Sequence, residues 1–237
     1  SYTGRYEESK ILNKQALTLC QSLLGDNHPL VAVNFNNLAG VYSSMGYYAE
    51  SEKLYNQALD IYKCLFGQNH QDVATCLNGL AHLYFLTERH TEAEPLLKQV
   101  VEIRKNLLGE EHPDFAQSLN NLGTLFYSQG RYDEAKTYLE QAFDINKHLL
   151  GNDHPNIADN LSNLANLYFS LSQFSQSEQL YLQALELKKR FFGNNHPDVA
   201  LCLQNLGLLY QYQEYYSEAE SLYIQAWGIF LQVLRQD

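Results

Sequence analysis

The sequence predicts an all-α solenoid made of five consecutive helix-pair repeats. Three observations lead there: punctuation residues that recur with one unbroken period, apolar residues at helical spacing between them, and only five prolines in 237 residues. Gly25, Gly67, Gly109, Gly151 and Gly193 are each 42 residues apart. His28, His70, His112, His154 and His196 follow three residues later every time. Pro29, Pro113, Pro155 and Pro197 come next, with Gln71 in the remaining place. A fixed period of this length is the mark of stacked supersecondary units, each too small to bury its apolar face alone.

Within one period the first half reads Ala116, Leu119, Leu122, Leu125 and Phe126, a helical stripe termed helix A. The second half reads Tyr132, Ala135, Tyr138, Leu139, Ala142, Ile145 and Leu149, again a helical stripe, termed helix B. Gly130-Arg131 separates the halves, and Gly46 stands in the same column. At the junction, the glycine is expected to close helix B in the left-handed conformation. The proline opens helix A at its first position, where no N–H is needed. Asp72, Asp114 and Asp198 then set negative charge at the positive end of helix A. The histidine column invites a metal or catalytic reading. Successive junctions lie about 10 Å apart, the spacing of packed helices, too far to share one metal. The histidines are therefore read as helix-end residues.

Columns across repeats show how the units stack. Leu38, Leu80, Leu122, Leu164 and Leu206 are each followed by Ala or Gly, which lets helix A approach helix B. Tyr42, Tyr84, Phe126, Tyr168 and Tyr210 fill the next turn, and Tyr6, Tyr48, His90, Tyr132, Phe174 and Tyr216 form an aromatic column on helix B. Gln15, Gln57, Gln99, Gln141, Gln183 and Gln225 match in all six B helices and are expected to bond backbone between repeats.

Composition narrows the function. The formal charge of −11 disfavours nucleic acid and anionic lipid, which demand clustered basic surface. No apolar run reaches the roughly 18 residues of a membrane span. Cys20, Cys64, Cys76 and Cys202 form no CxxC pair or ligand cluster, and read as small core residues in a reducing, cytoplasmic setting. No nucleophile–base constellation, phosphate loop or HExxH motif occurs, so neither an enzyme, a cofactor nor a metal is expected.

The pattern L-x2-L-G/A-x2-Y/F, then G-x-Y-x2-A, then A, running from Leu119 to Ala142, resembles the tetratricopeptide signature. Eight residues beyond the usual 34 lengthen helix B and add the Leu-Leu-Gly-x-x-His-Pro junction. That longer form is similar to the repeats of kinesin light chains and of related bacterial repeat proteins, and the resemblance covers residues 4–234. It implies one domain over 1–237: a half repeat at 1–27, then full repeats at 28–69, 70–111, 112–153, 154–195 and 196–237. It further implies a right-handed superhelix of antiparallel helix pairs, with A helices lining a concave groove that grips extended peptides. Kinesin light chains hold cargo adaptors this way, helix-A asparagines binding the peptide backbone.

The positions matching that groove are Asn36, Asn37, Asn78, His82, Phe85, Asn120, Asn121, Tyr127, Ser162, Asn163, Asn166, Phe169, Gln204 and Asn205. Asparagine carries a donor and an acceptor, so a ladder of them can pair with an extended backbone, leaving selectivity to pockets. The competing reading is that these asparagines bond only to adjacent helices and that Phe85, Tyr127 and Phe169 are core. All sixteen Lys and Arg lie outside the A helices, which are read as carrying only acids, including Asp159, Glu88 and Glu214. The expected ligand is thus a neutral or basic protein segment with apolar anchors.

Ser1–Gly4 align with Ser43–Gly46, the end of an A helix, and Arg235 stands where a junction glycine belongs. Trp227, Ile229 and Phe230 lie on the last helix. The leading expectation is a protein–protein interaction scaffold; the alternative is a structural spacer, or a module self-associating end to end, within a larger multidomain protein.

Overall fold

The computed structural model describes residues 2–236, with side chains for residues 6–233. It contains eleven helices among the described residues and no strand. The A helices are α2 (Pro29–Ser44), α4 (Gln71–Leu86), α6 (Pro113–Ser128), α8 (Pro155–Ser170) and α10 (Pro197–Tyr212). The B helices are α1 (Tyr2–Leu24), α3 (Tyr48–Phe66), α5 (His90–Leu108), α7 (Tyr132–Leu150), α9 (Phe174–Phe192) and α11 (Tyr216–Gln236). The predicted alternation is therefore present: an all-α repeat solenoid. Ser1 lies outside the described residues. Tyr2–Gly4, expected to end an A helix, instead open α1. The side chain of Arg235 lies outside the described residues.

Packing divides into two compact units, Ser1–Glu110 with α1 to α5 and Glu111–Asp237 with α6 to α11. In each, a helix packs on its sequence neighbours. In the second unit the core gathers Ile157, Leu161, Tyr181, Leu185, Leu203 and Leu206 into one cluster. The small residues after the leucine column matter sterically. A Cβ on Gly123 would come within 2.8 Å of Leu139, and one on Gly207 within 2.9 Å of Tyr223.

The junction histidines are N-caps. Nδ1 of His28, His70, His112, His154 and His196 accepts the backbone N–H two residues on, at 3.0–3.2 Å. Proline follows at the first helical position in four of the five. His70 and His196 also stack on Phe66 and Phe192, the last residues of the preceding helices.

The junction glycine departs from expectation. Gly67 has φ 76° and ψ −175°, and Gly109, Gly151 and Gly193 are alike, an extended mirror-image conformation open essentially to glycine alone. The chain must run on to the capping histidine rather than fold straight back. The left-handed turn occurs between A and B instead. There Gly46 N–H donates to Ser43 O and Tyr47 N–H to Tyr42 O, the paired bonds of a Schellman closure. Gly46 and Gly130 take positive φ there without strain, whereas Glu88, Ser172 and Glu214 are forced to φ 59–66°. Glu88 and Glu214 thus sit in turns, not on A helices.

Repeats are tied by the tyrosine column. Tyr84, Tyr168 and Tyr210 donate their hydroxyls to Glu52, Glu140 and Glu178 on the preceding B helix. Arg89 clamps Glu52 and Glu92 while stacking on Tyr84 at 4.1 Å. The glutamine column does no such tying: five of its members are exposed, and Gln225 bonds only Ser221 of its own helix. Long polar side chains on that face are better solvated than spent between repeats. Cys76 and Cys202 are buried as expected, but Cys64 is exposed and Cys20 half-buried.

Candidate functional site

The A helices owe their polar face to the same 3.6-residue periodicity that buries their leucines. In the second unit, that face is largely bonded to itself. Asn120, nearly buried on α6, accepts from Asn160 Nδ2 and Asn163 Nδ2 of α8, both at 3.0 Å. Asn160 in turn accepts from Asn146 of α7 at 2.8 Å. One helix turn on, Asn166 accepts from the hydroxyl of Tyr181 and, at 3.4 Å, from Asn205 of α10. Burial holds the Tyr181 hydroxyl well above the usual tyrosine range, so it remains a donor. The reading that asparagines bond adjacent helices therefore describes Asn120, Asn163, Asn166 and Asn205. Asn120 in particular is a strut: both lone pairs of its carbonyl are occupied.

Other expected residues are placed differently. Asn121 accepts from Gln117 on its own helix, and Ser162 turns back to Ala158 O. Tyr127 shares a hydrogen bond with Ser170 at 3.1 Å and packs on Tyr132. Phe169 lies among Phe174 and Tyr212, and is half-buried. Gln204 is exposed and lines a cavity shared by α10 and α11.

The first unit presents the same columns without the partners. Asn36 matches Asn120, but Cys76 and Gly79 stand where Asn160 and Asn163 stand in the second unit. Gly79 is required: a Cβ there would meet the Tyr55 ring at 2.7 Å. Asn36 Oδ1 is consequently buried with no hydrogen-bond partner. Asn36 lines a cleft of about 480 Å3 together with Ser9, Asn13, Asn37, Gly40, Ser44 and Tyr55. Tyr55 corresponds to Tyr181, and a Cβ built on Gly40 would sit 3.6 Å from its hydroxyl, where Asn166 takes the bond in the second unit. Burial pushes the Tyr55 hydroxyl up to about 12, so it too remains a donor. Elsewhere in this unit Asn37 and His82 are exposed, Asn78 is half-buried, and Phe85 packs on His90 at 5.6 Å.

Sequence reasoning missed Asn146 and Asn160. Their columns read Cys20, Tyr62, Arg104, Asn146, Lys188 and Asn34, Cys76, Ser118, Asn160, Cys202, polar or small throughout, and that recurrent polarity at buried spacing was the available signal. All described Lys and Arg lie off the A helices, which carry Asp72, Asp114, Asp159 and Asp198 in their first two turns. Lys188 reaches Asp159 from α9 at 3.0 Å. Among the described residues no group of three or more His, Cys, Asp or Glu could hold a metal ion, and no helix is long and apolar enough to cross a membrane.

The chain belongs to the tetratricopeptide repeat family, whose model matches five overlapping stretches, 1–64, 36–106, 72–148, 114–190 and 156–231. Repeats of this family mediate protein–protein interaction, and the chain is a scaffold of that kind. Its 42-residue form is kinesin light chain-like. A kinesin light chain-type protein of Podosopora anserina with nearly identical TPR-like repeats matches at 26% identity and a TM-score of 0.68, over 88% of this chain and 99% of that one. A single-substitution variant of the same protein gives 26% and 0.70, over 88% and 98%. BtubC (BKLC) of P. vanneervenii shares the fold at 22% identity and a TM-score of 0.77, over 96% and 92%. Comparison with curated proteins gave no match.

Proposed function

We propose that the A-helix face of each unit holds an extended segment of a partner protein, with no chemistry of its own. One observation carries this: the cleft at α2, where Asn36 Oδ1 is buried and lacks a donor. A buried carbonyl without a partner costs about 1–3 kcal/mol. An extended peptide, presenting an N–H at alternate positions along each edge, supplies the missing donor. Asn37, Asn13 and Ser44 around the cleft offer further pairing that is indifferent to side-chain sequence.

The absence of Lys and Arg from the A helices favours a neutral or basic segment with one or two apolar anchors. Ordering a short peptide consumes much of its contact energy, so affinity is expected near micromolar, about −8 kcal/mol. Titration of the purified chain with matched acidic and basic peptides tests the charge preference; tighter binding of the acidic one sinks it. Asn36→Leu tests the cleft, since it should weaken peptide binding at least tenfold without loss of helix content. Undiminished binding by Asn36→Leu combined with Asn37→Ala would move the reading to a structural spacer.

A further inference from the structure

Two columns on the B helices take no part in the core or in the A-helix face. One is the glutamine column, with Gln183 and Gln225. The other is Lys63, Lys105, Lys147 and Lys189, recurring every 42 residues in the last turn of their helices. In the second unit the two columns meet in furrows between successive B helices. The furrow between α7 and α9, of about 370 Å3, is lined by Lys147, Asp153, Gln183, Glu186 and Arg190 over Leu161 of α8. The furrow between α9 and α11, of about 390 Å3, is lined in the same register by Lys189, Asn195, Gln225, Gly228 and Gln232 over Leu203 of α10. The first stays open with a repeat on either side of it, so such a furrow belongs to the repeat and not to its place in the chain.

The furrows differ in how their cations are employed. In the first, Arg190 holds Asp153 at 2.7 Å, and Lys147 lies over the Phe143 ring at 5.4 Å. In the second, Asn195 replaces Asp153, Gly228 replaces Glu186 and Gln232 replaces Arg190, which removes every charge except that of Lys189. Leu185 stands where Phe143 does, which removes the ring as well. Among the described residues Lys189 pairs with no carboxylate. Asp153 shows what the first furrow takes, a carboxylate of the chain itself, and the second has none of its own. One ammonium ringed by carboxamides that can all donate matches an anion with two acceptor oxygens. Leu203, Ile224 and Ile229 add apolar wall, which apolar neighbours of that anion would cover and a free small ion would not. We propose that the α9–α11 furrow holds the carboxylate of an Asp or Glu, flanked by apolar residues, from an acidic segment of a partner protein. The furrow lies on the B-helix side and stands whether or not the A-helix face binds peptide.

The side-chain amides of Asn195, Gln225 and Gln232 report on this furrow directly by heteronuclear NMR. The probe is an extended peptide with one glutamate between leucines. Its titration should move those signals saturably, and the same peptide with glutamine should bind about three- to fivefold more weakly, the worth of one partly exposed ion pair. Lys189→Gln should cost the glutamate peptide the same factor. Asn195→Asp, which installs the carboxylate of the first furrow, should do so too, both with an unchanged circular dichroism spectrum. Lys147→Gln should leave binding as it was. Equal binding of the two peptides, full binding by Lys189→Gln or Asn195→Asp, or an equal loss in Lys147→Gln overturns the proposal. Stronger competition by inorganic phosphate than by acetate would assign the furrow to a phosphoryl group, and overturns it. Movement of the same signals on concentrating the protein alone would assign it to a second copy, and overturns it equally. Peptide titration of the A-helix face, run on Lys189→Gln, is free of this site, so the two readings fail separately.

Discussion

Replacing one asparagine column member by leucine should have opposite effects in the two units. In Asn120→Leu, two hydrogen bonds of about 1 kcal/mol each are lost, and the Asn160 amide is left buried without an acceptor. The added apolar contact offsets part of this, leaving a net cost of about 2–3 kcal/mol. In Asn36→Leu no bond to the buried carbonyl is lost, because none exists, and removing that orphan should stabilise by about 1–2 kcal/mol. With a urea slope of about 2 kcal/mol/M, the midpoint read by circular dichroism should fall by about 1 M in the first and rise by about 0.5–1 M in the second. Joint replacement of Asn120, Asn146 and Asn160 by leucine should recover most of the loss, since the buried members then leave nothing unpaired and only the half-buried Asn163 amide loses its acceptor. A cost of similar size at both positions would refute the reasoning, for it would mean that the column and not the partners sets the energy.

Three further outcomes follow from the same geometry. Glu88→Gly, Ser172→Gly and Glu214→Gly should each stabilise by about 0.5–1 kcal/mol, because the left-handed turn costs an L residue more than glycine loses in unfolded entropy; melting temperatures of the single variants measure it. The Arg89 guanidinium beside Glu52 holds that carboxyl below the usual carboxylate range, so its contribution is complete above the unfolded value near ~4.3 and is lost as pH falls through the lower folded value. The stability gap between the wild type and Glu52→Gln should therefore close on acidification, and a gap unchanged down to strong acid would contradict the ion pair. Burial pushes the Cys76 and Cys202 thiols up to about 12 and about 11, so thiol titration of the native protein should label exposed Cys64 first and those two only on unfolding.

The repeat register, the alternation of A and B helices and the helix-end role of the junction residues were legible in the sequence because they rest on local chemistry. A histidine followed by proline caps a helix by contacts within two or three residues, and a 3.6-residue apolar period fixes which face is buried. The glycine at 67 was legible as a residue of positive φ, but its ψ was not, since that depends on how far the chain must travel to the next cap. The polar face was legible as a list of residues and not as a set of bonds. Whether Asn120 is a strut and Asn36 an orphan is decided by what the next helix places opposite, Asn160 and Asn163 in one case and Cys76 and Gly79 in the other. Those partners lie about 40 residues away along the chain, and only the stacking of one repeat on the next brings them within hydrogen-bond reach.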